Sequence, residues 1–153
     1  MKKIVVMSDN HGEDSAIVDI QYKESDADYY VHCGDSEASP DLLEQWIVVA
    51  GNNDWGLPYD EYKRFEVEGL SFFVVHGHQF GYYEREEKMV DLLKEYHCDV
   101  LLSGHTHVPM FEQKGNFTLI NPGSTTLPRR DSNRSYCVLY VDGDNLKYEF
   151  KEY

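Results

Sequence analysis

Five short polar clusters are spread along this chain: Asp9 with His11, Asp35, Asn52, His76, and His105 with His107. Carboxylate, amide and imidazole are donors that hold divalent cations, and none of the clusters offers a thiolate. Two such cations acidify a water and hold two oxygens of an ester, which is hydrolytic chemistry. Each cluster follows an apolar, often β-branched run, at residues 4–7, 29–32, 47–50, 72–75 and 100–102. Loops at the ends of buried strands are where open α/β sheets place their active sites. The spacing therefore reads as a dinuclear metallohydrolase.

No cluster carries that reading alone. Asp9-Asn10-His11 reads equally as a helix cap with a surface imidazole, although Gly12 allows a sharp turn and Glu13 and Asp14 suit a helix N-terminus. Asp35 after Gly34 can bridge two cations or sit in a turn. In Gly51-Asn52-Asn53-Asp54 an amide oxygen can complete a coordination shell without adding charge, or form an Asx turn. His76-Gly77-His78 and Gly104-His105-Thr106-His107 hold four of the seven histidines, and residues two apart in an extended segment point the same way. His32 and His97 lack such a setting and read as structural, while His78 is either a partner of His76 or an acid. Cys33 lies two residues before Asp35.

These loops need strands and helices to hold them. Segment 13–25 sets Ala16, Ile17, Ile20 and Tyr22 among polar residues, the pattern of an amphipathic helix, and a weaker helix is expected over 40–45. With the strand-like runs between them the chain opens as βαβαβ, which calls for a largely parallel sheet. Segments 65–68 and 71–75 flank Gly69-Leu70 as in a hairpin. Residues 84–97 form the clearest helix, with Met89, Val90, Leu92, Leu93 and Tyr96 as its apolar stripe. Strands at 110–113, 117–120, 136–141 and 146–150, with turn signals at Lys114-Gly115-Asn116 and Asp142-Gly143-Asp144, are expected to form a second, mostly antiparallel sheet. Both sheets should share one core with helices outside. No linker or repeat divides the chain, so residues 1–153 are expected to form a single domain.

The 41% hydrophobic and 27% charged content is that of a globular chain. Residues 1–7 superficially resemble a signal peptide, but the apolar run stops at Asp9 and reads as a buried strand. No run approaches the ~20 apolar residues of a bilayer span. A net charge of −14, with basic residues only in short pairs, argues against a nucleic-acid polymer as partner and leaves small molecules open. Three scattered cysteines, odd in number, fit a reduced cytoplasm. Tyr59, Tyr62, Tyr82 and Tyr83 offer rings for a nucleobase or for a subunit contact in an oligomer.

Taken together, Ser8-Asp9-Asn10-His11-Gly12, Gly34-Asp35, Gly51-Asn52-Asn53-Asp54, Val75-His76-Gly77-His78 and Gly104-His105-Thr106-His107 resemble the ordered motifs of the calcineurin-like metallophosphoesterase superfamily. Asn121-Pro122-Gly123-Ser124, with Pro128-Arg129 beyond, is similar to its small bacterial and archaeal phosphodiesterase branch. The resemblance implies an α/β fold, a four-layer αββα sandwich of two mixed β-sheets flanked by helices. It also implies two divalent metal ions, manganese first, with zinc, iron or nickel as alternatives. One would be held by Asp9, His11, Asp35 and His107, the other by Asp35, Asn52, His76 and His105. A hydroxide bridging them would attack a small phosphate diester, a nucleotide being one candidate. Two cations, two carboxylates and one hydroxide leave a local charge of roughly +1, enough to draw a phosphate into an acidic protein.

At Asn53 the chain departs from the many relatives that carry histidine. An amide donates a hydrogen bond but no proton, so good leaving groups are expected, with Asn53 and His78 as the catalytic side chains. Arg129 and Arg130 offer planar donors to a phosphate or to solvent. A phosphomonoesterase sharing the same ligands, or a metal-binding scaffold for a protein partner, are the competing readings.

Overall fold

A computed structural model describes all 153 residues. The first half of the chain runs β1 (Lys2–Met7), α1 (Asp14–Lys23), β2 (Tyr29–His32), β3 (Trp46–Val48), β4 (Tyr62–Val67) and β5 (Leu70–Val75). The second half runs α2 (Arg85–Tyr96), β6 (Val100–Leu102), β7 (Met110–Lys114), β8 (Phe117–Asn121), β9 (Ser135–Asp142) and β10 (Asn145–Glu152).

Ile4 to Met7 are wholly buried because β1 is covered on both faces. Side chains alternate along a strand. Ile4 and Val6 therefore enter the core between two sheets, while Val5 and Met7 pack with Ala16, Ile17 and Ile20 of α1. Parallel β2 and β3 continue this sheet on one side and antiparallel β9 and β10 on the other, in the order β10-β9-β1-β2-β3. The second sheet has the order β4-β5-β6-β8-β7, with β5, β6 and β8 parallel and antiparallel strands at both edges. Met89 and Leu93 of α2 cover its outer face against Phe73, Val75, Leu101 and Leu119. The four layers are α1, two mixed sheets and α2, as the family resemblance implies.

Three local expectations need correction. The last third does not make one antiparallel sheet: the β7–β8 hairpin docks alongside β6, whereas β9 and β10 cross over to β1. Strand β9 sends Cys137, Leu139 and Val141 into the core between the sheets and Tyr136 and Val138 toward α1. A strand apolar on both faces needs a central position. The weaker helix is only a short 3₁₀ turn, Pro40–Leu43, and Tyr22 is 83% exposed, five residues past Ile17 and off the buried stripe. No helix is long and apolar enough to cross a membrane.

Candidate metal centre

The loops after β1, β2, β3, β5 and β6 all leave carboxyl ends of strands, and the backbone ties them together. Asp9 N donates to Gly34 O and His11 N to Asp35 O, both at 3.0 Å, while Gly104 N donates to His76 O at 2.9 Å. The two sheets meet where His105 N donates to Asp9 Oδ2 at 3.0 Å.

Five of the expected ligands converge. Asp9 Oδ1 lies 3.1 Å from His107 Nε2, 3.6 Å from His11 Nε2 and 3.7 Å from His76 Nε2. Asp35 Oδ2 lies 3.2 Å from His76 Nε2 and 3.9 Å from His11 Nε2. Asp9, His11 and His107 form one potential cation-holding group, and Asp9, Asp35 and His76 a second. In this geometry Asp9 is common to both groups, and Asp35 Oδ2 lies within 4 Å of an imidazole in each.

The hydrogen bonds behind these side chains fit a bound cation. His76 Nδ1 donates to Cys33 O at 2.8 Å and His107 Nδ1 to Leu127 O at 2.7 Å. A carbonyl only accepts, so both protons sit on Nδ1. His11 Nδ1 faces the Glu37 carboxylate at 3.0 Å. The Nε2 atoms of all three rings thus face the carboxylates, the disposition of a donor set that takes a cation. Asp9 Oδ2 is occupied by Ser8 Oγ at 2.6 Å and by His105 N, leaving Oδ1 buried and unpartnered, as is His76 Nε2.

Burial works to raise the Asp9 carboxyl, but His107, His11, His76 and Ser8 outweigh it and hold it far below the usual carboxylate range. Asp35 is held at about 2, its burial opposed chiefly by His76 and by Asn53. The Asp9 carboxylate, 3.6 Å away, pushes His11 up despite burial, and Asp35 and Asp9 together outweigh burial to push His76 up. His105 is instead lowered to about 4 by burial and then by positive charge at His76 and Arg85. Two ionised carboxylates among imidazole nitrogens are a donor set suited to a divalent cation. The site is also strained: Asp9, His11, Asp35, His105 and His107 all have positive φ, between 44° and 73°. Left-handed backbone costs an L-residue roughly 1–2 kcal/mol, and such outliers gather at functional sites.

Positive φ also overturns one expectation. His105 and His107 do not point together from an extended segment; His107 reaches Asp9, whereas the His105 ring lies 5.3 Å from that of His76. Asn52 is exposed and makes no side-chain hydrogen bond to the cluster, while its neighbour Asn53 donates from N and Nδ2 to the two Asp35 oxygens at 2.8 and 3.0 Å. The His78 ring sits 5.5 Å from His76 and 6.2 Å from His105, with Nδ1 buried and unpartnered. The Cys33 thiol is fully buried and its pKa pushed well up by that burial, so it is no nucleophile.

Two residues stand behind the cluster: Asp54, which a linear reading misses, and His32, which reads as structural and is so. Asp54 accepts from the amides of Asp35, Glu37 and Gly51 at 2.7–2.9 Å, bracketing the loop that carries Asp35. His32 accepts from Gly34 N, so its Nε2 donates to Asn10 Oδ1 at 2.7 Å, and burial lowers it to about 4. Only the run of polar residues after each strand hinted at these roles. Close approach explains two glycines: a methyl on Gly51 would strike the Asp35 carboxylate and amide, and one on Gly104 the side chains of Ser8 and Asp9.

Residues 1–144 match the calcineurin-like phosphoesterase superfamily domain. A probable metallophosphoesterase of Mycoplasma pneumoniae is 35% identical over 145 residues, spanning 91% of this chain and 89% of its own length. A conserved uncharacterized protein of Streptococcus pneumoniae, described as a predicted phosphoesterase, superposes with a TM-score of 0.90 at 31% identity, covering 97% of this chain and 88% of that one. Phosphodiesterase YfcE of Escherichia coli is 28% identical over 149 residues, 91% of this chain and 72% of the relative.

Proposed function

The chain belongs to the calcineurin-like phosphoesterase superfamily, and we propose that it is a metal-dependent phosphodiesterase of small phosphate esters that works with two divalent cations. The observation that carries this reading is the set of imidazoles whose Nδ1 atoms are engaged behind them while their Nε2 atoms face two ionised carboxylates. Asp9, His11, Asp35 and His107 would hold one cation, and Asp35, Asn52, His76 and His105 the other. Manganese, zinc, iron and nickel all suit this nitrogen and oxygen set, and manganese is the first metal to test. When bound, the cations supply Lewis-acid charge for phosphate oxygens and acidify water.

The chain's own groups then set the substrate. Asn53 steadies Asp35 through its amide and has no proton to give a leaving oxygen. We assign that role to His78, whose ring lies 5.5 Å from His76, whose Nδ1 has no partner and whose pKa burial lowers. Good leaving groups are favoured, hence aryl diesters over alkyl monoesters. The net charge of −14 disfavours polymeric nucleic acid. Three buried free cysteines suit a reducing cytoplasm.

The test is hydrolysis of an aryl phosphodiester and an aryl monoester by metal-stripped protein reloaded with manganese, beside Asp35→Asn and His76→Ala. Diester cleavage that needs metal and is lost in both variants is expected. Monoester cleavage alone would replace this reading with a phosphomonoesterase; two bound metals with no cleavage would point to a protein-binding scaffold. His78→Ala should steepen the dependence of kcat on leaving-group pKa, and an unchanged slope removes His78 from the mechanism.

A further inference from the structure

The chain has five arginines, and three of them, Arg85, Arg129 and Arg130, line one cavity of about 540 Å³ together with Ser103, Thr106 and Asn121. This gathering is unusual on a protein of net charge −14. The one carboxylate in the lining, Glu86, is paired with Lys114 at 3.0 Å. Arg85 is pinned by Nη1, which donates to Gly77 O at 2.7 Å and Gly81 O at 2.9 Å, while its Nη2 is buried with no partner. Ser103 is fully buried, and its Oγ has no partner either. Both groups flank Gly77, from α2 and from the end of β6. Buried polar groups are nearly always satisfied. Two left open on the wall of an arginine-rich cavity call for an oxyanion, which accepts from several donors at once.

The cavity abuts the metal centre. Ser103 and Thr106 belong to the loop that carries His105 and His107, and Arg129 N donates to His107 O at 3.1 Å. Gly77, which Arg85 holds, lies between His76 and His78. We infer that this cavity is a second oxyanion site, and that it takes a terminal phosphate carried on the leaving group of the diester. The identity of the substrate rests on the phosphodiesterase reading; the site itself does not. Its phosphate would lie beyond the scissile bond, so the site selects substrates by charge without taking part in the chemistry.

Two measurements separate these statements. Inorganic phosphate is titrated calorimetrically, at low salt, into the full chain stripped of metal, where the arginine cavity is the anion site still in play. Binding is expected, weakened about tenfold or more in Arg129→Ala/Arg130→Ala by loss of charge-assisted hydrogen bonds. Both side chains are exposed, and an unchanged Tm verifies that the variant is folded. No binding, or binding undiminished in the double variant, overturns the site whether or not esters are hydrolysed. The manganese-loaded enzyme is then given one aryl diester with and without a phosphate on its leaving group. A kcat/KM ratio of about ten or more, collapsing toward one in the double variant, is expected. A ratio near one in the unmodified protein that nevertheless binds phosphate overturns the substrate assignment in favour of free phosphate. Phosphate binding without hydrolysis of either diester refutes the phosphodiesterase reading and upholds the site.

Discussion

Glu24, just past the end of α1, is a carboxylate only 3% exposed. Tyr136 Oη donates to it at 2.6 Å, and the ammonium groups of Lys3 and Lys151 lie 2.9 and 3.0 Å from its oxygens. Burial works to raise its pKa, but Tyr136, Lys3 and Lys151 outweigh burial and hold it at about 2, against an ordinary 4.5. At about 1.4 kcal/mol per pKa unit this gap is worth roughly 3 kcal/mol of stability at neutral pH. The folded-state value is the depressed one, so the stabilisation is full above about 4.5 and fades as pH falls toward 2. At pH 3 roughly 1.4 kcal/mol should remain. Glu24→Gln preserves the shape and removes the charge. Urea unfolding of metal-stripped protein should therefore show the variant less stable by about 3 kcal/mol at pH 7 and by about half that at pH 3. Comparing two chains that differ at one position cancels the other carboxylates. A difference below about 0.5 kcal/mol at pH 7, the range of an exposed ion pair, would mean that burial gives the Glu24 network no added strength. A larger one that does not change with pH would mean that it does not come from the Glu24 charge.

Gly51→Ala should force Asp35 to move, costing about 1–3 kcal/mol as overpacking does and weakening manganese binding at least about tenfold; unchanged affinity and stoichiometry by calorimetry would show that the loop gives way freely. Removing metal should lower Tm, because cations at about a hundred times their dissociation constant add about 2.7 kcal/mol, or roughly 5–10 °C for a chain of this size. Scanning calorimetry with and without chelator reads this directly, and His76→Ala should abolish most of the difference; equal Tm values would mean that the strained, carboxylate-rich loops do not rely on bound cations.

Much of this protein is legible without coordinates. Alternating and continuous apolar runs depend on local geometry alone, so the strands, both helices and the placing of each polar cluster at a strand end follow from residue order. The ordered motifs from Asp9 to His107 likewise disclosed the family, because each polar cluster stands directly after its own apolar run. Tyr22 and the segment 40–45 misled, since weak periodicity yields to tertiary packing.

Residue order supplies an inventory: which side chains could bind cations, and which strands carry them. The tertiary structure decided their partners. Strand β9 sits beside β1 rather than beside β8 because both of its faces need covering, a fact invisible to a hairpin signal that reports only neighbours in the chain. His105 and His107 diverge because each has a positive φ, which an extended pattern does not foretell. Arg85, the first residue of a helix and unremarked in the chain, becomes the anchored wall of a cavity once Gly77 passes beside it. Residue order encodes periodicity and chemical type over a few positions, whereas a binding site is a sum of contacts between positions as far apart as Asp9 and His107, set only when two sheets close on a shared core.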